Sequence, residues 1–191
     1  MQNKVNKKFF THEAYLDYEE KAENRNDFYK GEIFAMSGGS ANHNTITLSV
    51  ASELSSSLSE KYRVFMSDMK VRVEKHTLDT YPDIMVVCGD LQFYENRDDI
   101  ILNPIVIFEV LSKSTEAYDR GNKFAFYRSI PSFKEYIMID QYQMHVEQFY
   151  LQDEKWVLVE YTEPSTDLKL ISIDFSMKLE NIYRRIHFLE K

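Results

Sequence analysis

YPDIMVVC (residues 81–88) and IVIFEVL (residues 105–111) are the most continuously apolar stretches of the chain. Runs of this length without alternation are the mark of central strands whose sheet is covered on both faces. Each run carries one acid. Asp83 follows Pro82 at the start of the first, and Glu109 lies inside the second. A carboxylate in a buried strand costs roughly several kcal/mol unless it is paired, protonated or bound to a cation. Taken singly, Asp83 can be a turn residue at a strand start, and Glu109 can be salt-bridged to a lysine or arginine.

Working outward, residues 62–67 read as a strand. In residues 69–74, Met69, Val71 and Val73 alternate with Lys70, Arg72 and Glu74, the period of a half-buried strand with one exposed face that could form an interface. Ile46, Val50, Leu54 and Leu58 recur every four residues, and Leu48 and Ala51 widen the stripe, which predicts a helix capped by Ser40 after the turn at 37–40. Thr11 caps an earlier helix to about residue 23, and residues 27–36 form a hairpin turning at Lys30-Gly31. Downstream, 89–103 is a polar loop with a helical turn, 118–128 is a helix stopped before Pro131, and 135–140 is a strand. Residues 146–150 and 156–161 make a hairpin, with Trp156 as a second interface candidate, and 176–185 a short helix. The sum is an α/β (α+β) fold, a mixed central sheet flanked by helices with N- and C-terminal hairpins. A flexible N-terminus (1–10) precedes a single domain (11–191).

Composition narrows the function classes. The chain has 191 residues, enough for one good core, and a formal net charge of −8. That charge argues against a broad basic face for nucleic acid, so any DNA or RNA contact runs through a local patch, a helper protein or a metal. The lone Cys88 allows no intramolecular disulfide and fits a reducing cytoplasm. No apolar run is long enough to span a bilayer. The five histidines lack zinc-ligand spacing, and there is no G-x-x-x-x-G-K phosphate loop.

Asp83 and Glu109 together have a use that neither has alone. Two strand-borne carboxylates present hard oxygen ligands suited to Mg2+ or Mn2+. Such an ion acidifies water and neutralises a phosphoryl oxygen, both of which phosphodiester hydrolysis requires. Ile107, Glu109 and Leu111 share one strand face, so a cationic partner at 111 is missing. The nearest substitute is Lys123, on a helix face with Asp119 one turn before and Tyr127 one turn after. Asp119 and Lys123 also read as an ordinary surface pair.

The ordered set YLDYEE (15–20), FYKGEIFAMSGGSANHN (28–44), SDMKVRV (67–73), YPDIMVV (81–87), IVIFEVLSKST (105–115), YDRGNKFAFY (118–127) and FKEYIMID (133–140) resembles the PD-(D/E)XK nuclease superfamily. More narrowly it resembles the Uma-type restriction endonuclease family, over residues 15–183. The resemblance implies a restriction-endonuclease-like fold and a Mg2+- or Mn2+-dependent endonuclease that cuts DNA to leave 5′-phosphate ends. Asp83 and Glu109 match the family's metal-binding acids, and Lys123 matches a migrated lysine, Leu111 standing at the superfamily's usual lysine position. Asp119 could orient Lys123. Glu32 matches a hairpin glutamate that either binds a second metal or positions water, or is merely solvated. His43 and Asn44 match a His-Asn pair at the helix start, where the histidine caps, packs, touches phosphate or assists proton transfer. Tyr127 fits the core better than catalysis. The missing E-x-K lysine keeps open a nuclease-fold module that binds or regulates without cleaving. A third reading is a nuclease that relies on another DNA-binding protein. A symmetric homodimer is the expected assembly.

Overall fold

The computed structural model describes residues 9–36 and 38–188. Residues 1–8 of the expected flexible N-terminus, Ser37 of the turn at 37–40, and residues 189–191 lie outside it. At the start of the described chain, the Phe10 N–H bonds the Gly31 carbonyl at 2.8 Å.

Helix α1 (His12–Glu19) begins where Thr11 Oγ1 accepts the Ala14 N–H. It ends at Glu19, short of residue 23, because the Glu19 carboxylate turns inward to take the Asn26 backbone and side-chain N–H groups and the Tyr81 hydroxyl. The hairpin β1 (Asn26–Tyr29) and β2 (Glu32–Ala35) follows. Its turn puts Lys30 at φ 47° and Gly31 at φ 87°, the left-handed pair that a two-residue hairpin demands. Helix α2 (Ala41–Ser57) is capped by Ser40, whose Oγ accepts the His43 N–H. Then come β3 (Tyr62–Met66), β4 (Lys70–Val73), β5 (Leu78–Thr80), β6 (Ile84–Cys88), β7 (Ile100–Ile101) and β8 (Pro104–Leu111). A helical segment after β8 has three consecutive parts: α3 (Glu116–Tyr118), a π-helical turn (Asp119–Lys123) and α4 (Phe124–Tyr127). The chain continues through β9 (Glu135–Asp140), β10 (Val146–Gln152), β11 (Lys155–Tyr161), β12 (Asp167–Leu170), β13 (Phe175–Lys178) and α5 (Leu179–Ile182).

The central sheet runs β11-β10-β9-β8-β6-β3, antiparallel throughout except for the parallel pair β8–β9. A second sheet runs β2-β1-β5-β4-β7. The even-numbered side chains of β6 and β8 (Ile84, Val86, Val106, Phe108, Val110) meet Ile46, Val50 and Leu54 of α2. The odd-numbered ones (Met85, Val87, Ile107, Leu111) meet Phe124 and Tyr127 of α4 and Val71, Val73 and Leu78 of the second sheet. Burial of each such large side chain contributes about 1.5–3 kcal/mol, so both faces of these strands are anchored.

Three expectations are corrected. Strand β4 has no exposed face: Lys70 and Arg72 are only 3% and 9% exposed, so this strand offers no interface. Lys70 Nζ bonds Asp99 at 2.8 Å and Arg72 bonds both oxygens of Asp79 at 3.0 Å, and these distant partners remove the need for solvent. The polar loop after β6 ends in β7, which pairs with β4 in parallel. Residues 176–178 belong to a strand, because Leu168, Leu170, Phe175 and Met177 alternate inward toward α2 and leave only a short α5. The buried Glu135 carboxylate holds the β12–β13 turn by accepting from the Ile171 and Ser172 amides and the Ser172 hydroxyl. Among the described residues no helix is long and apolar enough to cross a membrane.

Candidate active site

Strands β6 and β8 are antiparallel with Ile84 opposite Phe108. Asp83 immediately precedes β6 at this end of the pair, next to Glu109, and both acids open on the same cleft. Asp83 Oδ2 accepts the Val110 N–H at 2.7 Å and lies 3.2 Å from His43 Nε2 at the start of α2. Glu109 Oε1 accepts from Lys123 Nζ at 2.9 Å and from the Tyr127 hydroxyl at 3.1 Å. Lys123 Nζ is also 3.2 Å from Asp119 Oδ1. Both charged residues belong to the π-helical turn, a widening that recurs at functional sites. Leu111, on the same strand face as Glu109, is buried in the core, and the ammonium reaches the acid from the helix instead.

Asp83, Glu109, Asp119, Lys123, His43 and Asn44 line one cleft of about 690 Å³. Tyr127 lies beneath it, fully buried, and meets the site through its hydroxyl. Glu32 does not line the cleft. It pairs with Tyr29 beside the hairpin turn, while Asp27 pairs with Phe34 two residues further along. Asp27 and Glu32 therefore face the same side of the hairpin, but about 7 Å apart along it. Only the open end reaches the cleft, so Asp27, 2% exposed, is the acid that β1 supplies. Sequence reasoning also missed Gln141, Lys113 and Tyr142 on the cleft rim. Their signal was positional: they follow the carboxyl ends of the parallel strands β8 and β9, where ligand crevices form in such sheets.

The cleft gathers four acids, Asp27, Asp83, Glu109 and Asp119, with Lys123, Lys113 and His43 as its basic residues. Burial pushes the Glu109 carboxyl from its usual 4.5 up to about 8; the Lys123 ammonium opposes this, and the charges of Asp119 and Asp83 add to it. Burial works against the Lys123 ammonium, but Glu109 and Asp119 outweigh it and hold its pKa well above the usual 10.5. Burial, reinforced by Glu109, keeps the Tyr127 hydroxyl neutral and donating. Burial lowers His43, yet its hydrogen bond to Asp83 and that residue's charge win, leaving its pKa above 6.5.

The residues present fit a divalent ion. Asp119 Oδ1 is buried without a hydrogen-bond partner, its contact with Lys123 being an ion pair only. Asp83 Oδ1 and Glu109 Oε2 accept no hydrogen bond among the described residues. Two free carboxylate oxygens suit Mg2+, which binds through one or two carboxylates and keeps its waters. Among the described residues no three His, Cys, Asp or Glu side chains are already gathered as a coordination cluster, so solvent or substrate oxygens would complete the shell.

A pH dependence follows. The native state's disadvantage from Glu109 is absent below pH 4.5, grows as pH rises, and levels off above about 8. The His43 contribution is full below pH 6.5 and is lost as pH rises through its raised native pKa. Both slopes have the same sign. The Tm of the metal-free protein, measured by calorimetry in EDTA, should therefore fall between pH 6 and pH 8, and Glu109→Gln should flatten the fall. A Tm that rises across this window contradicts the charge distribution described.

The architecture is a nuclease fold. The chain superposes on a crystal structure described as "a putative nuclease belonging to DUF820" from Anabaena variabilis, with a TM-score of 0.75 at 17% identity, covering 91% of this chain and 97% of that one. The family is shown by sequence: the Uma2 model, "Putative restriction endonuclease", matches residues 12–180, and the chain belongs to that family. Two relatives from Synechocystis sp. are similar along most of their length. "Uncharacterized protein sll1609" is 35% identical over 164 residues, 85% of this chain and 93% of the relative. "Uncharacterized protein slr1290" is 32% identical over 178 residues, 92% of each.

Proposed function

We propose that this chain is a divalent-cation-dependent endonuclease that hydrolyses phosphodiester bonds of DNA. The observation that carries the reading is the convergence of Asp83 and Glu109 on one cleft, with Asp83 bonded to the Val110 amide beside Glu109 and the Lys123 ammonium 2.9 Å from Glu109. Asp83 and Glu109 would hold Mg2+ or Mn2+. When bound, the ion supplies a lowered water pKa and neutralises a phosphoryl oxygen. Lys123, kept protonated between two acids, offers positive charge where the phosphoryl group gathers negative charge. Asp119 pairs with that ammonium, and the Tyr127 hydroxyl donates to the Glu109 oxygen that receives it. His43, held by Asp83 and with its pKa raised by that residue, can donate to a phosphate oxygen.

The test is cleavage of plasmid and linear DNA with Mg2+, with Mn2+ and with EDTA. Nicking that requires the metal is the expected result. A protein that cuts no DNA with any divalent ion supports the second reading, a nuclease-fold binding or regulatory module. That reading draws on the net charge of −8 and on the closure of Glu109 by Lys123 and Tyr127.

A further inference from the structure

We propose that the cleft takes a DNA strand with an unpaired nucleotide next to the scissile phosphate, and that Tyr142 with Lys113 forms the platform on which that base stacks. The inference rests on the nuclease reading and names its substrate class.

The two residues come together through the sheet. In the parallel pair β8–β9, Leu111 stands opposite Asp140. The chain therefore leaves both strands side by side, at the edge where Glu109 and Asp83 sit. Ser112, Lys113 and Thr115 from one loop, and Gln141 and Tyr142 from the other, line the same cleft as the acids. Tyr142 is 46% exposed, whereas the other tyrosines among the described residues are buried or half-buried. Its ring lies 5.3 Å from the Lys113 ammonium, and its hydroxyl is 3.4 Å from the Lys113 amide.

The platform is rigid before any ligand arrives. The Tyr142 N–H bonds Asp140 Oδ1 at 2.7 Å, Gln143 bonds Asp140 Oδ2 at 2.9 Å, and the Asp140 N–H bonds the His145 carbonyl at 2.9 Å. Gln141 is buried and tied to the Leu111 carbonyl and to Ser40, which joins the loop to the start of α2. A preordered aromatic surface loses little entropy on binding.

Charge decides which nucleic acid suits it. A duplex is held mainly through its phosphates by a basic face, and this chain has a net charge of −8, with four acids beside Lys113, Lys123 and His43 in the cleft. Stacking on a ring needs no net charge and accepts any base. A tyrosine face is available only to a base that has left the duplex stack. One lysine beside it suffices for one neighbouring phosphate.

The experiment compares the wild type, Tyr142→Ala and Tyr142→Phe on a single-stranded oligonucleotide, on the fully paired duplex of the same sequence, and on that duplex with one mismatch. Metal-dependent cleavage is followed alongside quenching of a 2-aminopurine in each oligonucleotide. The expected result is cleavage of the single strand at least about tenfold better than of the duplex, with the mismatch between them. Tyr142→Ala should raise KM about tenfold with kcat little changed and abolish the quenching, and Tyr142→Phe should keep both, as a stacking ring requires. Equal cleavage of duplex and single strand, with Tyr142→Ala behaving as wild type, overturns the inference and leaves the nuclease reading standing. Absence of any cleavage with quenching that still depends on Tyr142 supports the stacking site and overturns the nuclease reading. Absence of both overturns both.

Discussion

Glu109→Gln and Asp83→Asn should each lower Mg2+-dependent DNA cleavage by at least about 10²- to 10³-fold, the scale of losing one preorganised electrostatic group at a reacting centre. Neither substitution should unfold the protein. A glutamine at 109 still presents an oxygen to Lys123 and Tyr127, and an asparagine at 83 can still accept the Val110 N–H. Glu109→Gln also removes a negative charge from a cleft that holds three other acids. Its Tm in EDTA should therefore equal or exceed that of wild type at pH 8, where the native carboxylate is otherwise forced to ionise. Lost cleavage together with retained stability is the signature of a functional acid. A Glu109→Gln protein that cleaves normally, or one that loses activity only because it melts, contradicts the role assigned to it.

Lys123→Met should have the largest effect on stability. The lysine is the cation within ion-pair distance of both Glu109 and Asp119, and all three side chains are almost wholly buried. Removing one partner of a buried pair costs about 3–5 kcal/mol, because the remaining charges lose their compensation. In a chain of this size that corresponds to a fall in Tm of about 10 °C. Protonation of Glu109 limits the loss at low pH, so the deficit should be larger at pH 8 than at pH 6. Saturating Mg2+ should restore part of the stability, since an ion held by the acids replaces the missing charge. Calorimetry at the two pH values, with and without Mg2+, checks each point. A Lys123→Met protein as stable as wild type at pH 8 would show that the pair carries no weight.

The parts of this architecture that were legible in sequence are those with a local signature. The runs around Asp83 and Glu109 announce two central strands, and the four-residue stripe of α2 announces a helix against one face. The spacing of Asp119, Lys123 and Tyr127 puts them on one helix face, where their side chains meet or neighbour Glu109. What was missed depends on distant partners. Strands of two to four residues, such as β5 and β7, have no periodicity to read and exist because β4 lies beside them. Lys70 and Arg72 mimic a solvated face because nothing local reveals Asp99 and Asp79. Asp27 and Glu32 differ only in their place along one hairpin, a matter of register. Tyr142 and Lys113 lie in separate loops that only the parallel pairing of β8 with β9 brings together.

The central claim is that Asp83 and Glu109 share one divalent ion, and Mn2+ binding followed by electron paramagnetic resonance tests it most directly. Metal-free wild-type protein should take up a single Mn2+ per chain, and Mg2+ should compete for it. Asp83→Asn and Glu109→Gln should each leave the added Mn2+ free in solution at the same concentration. Undiminished Mn2+ uptake by both variants would contradict the site and the chemistry built on it.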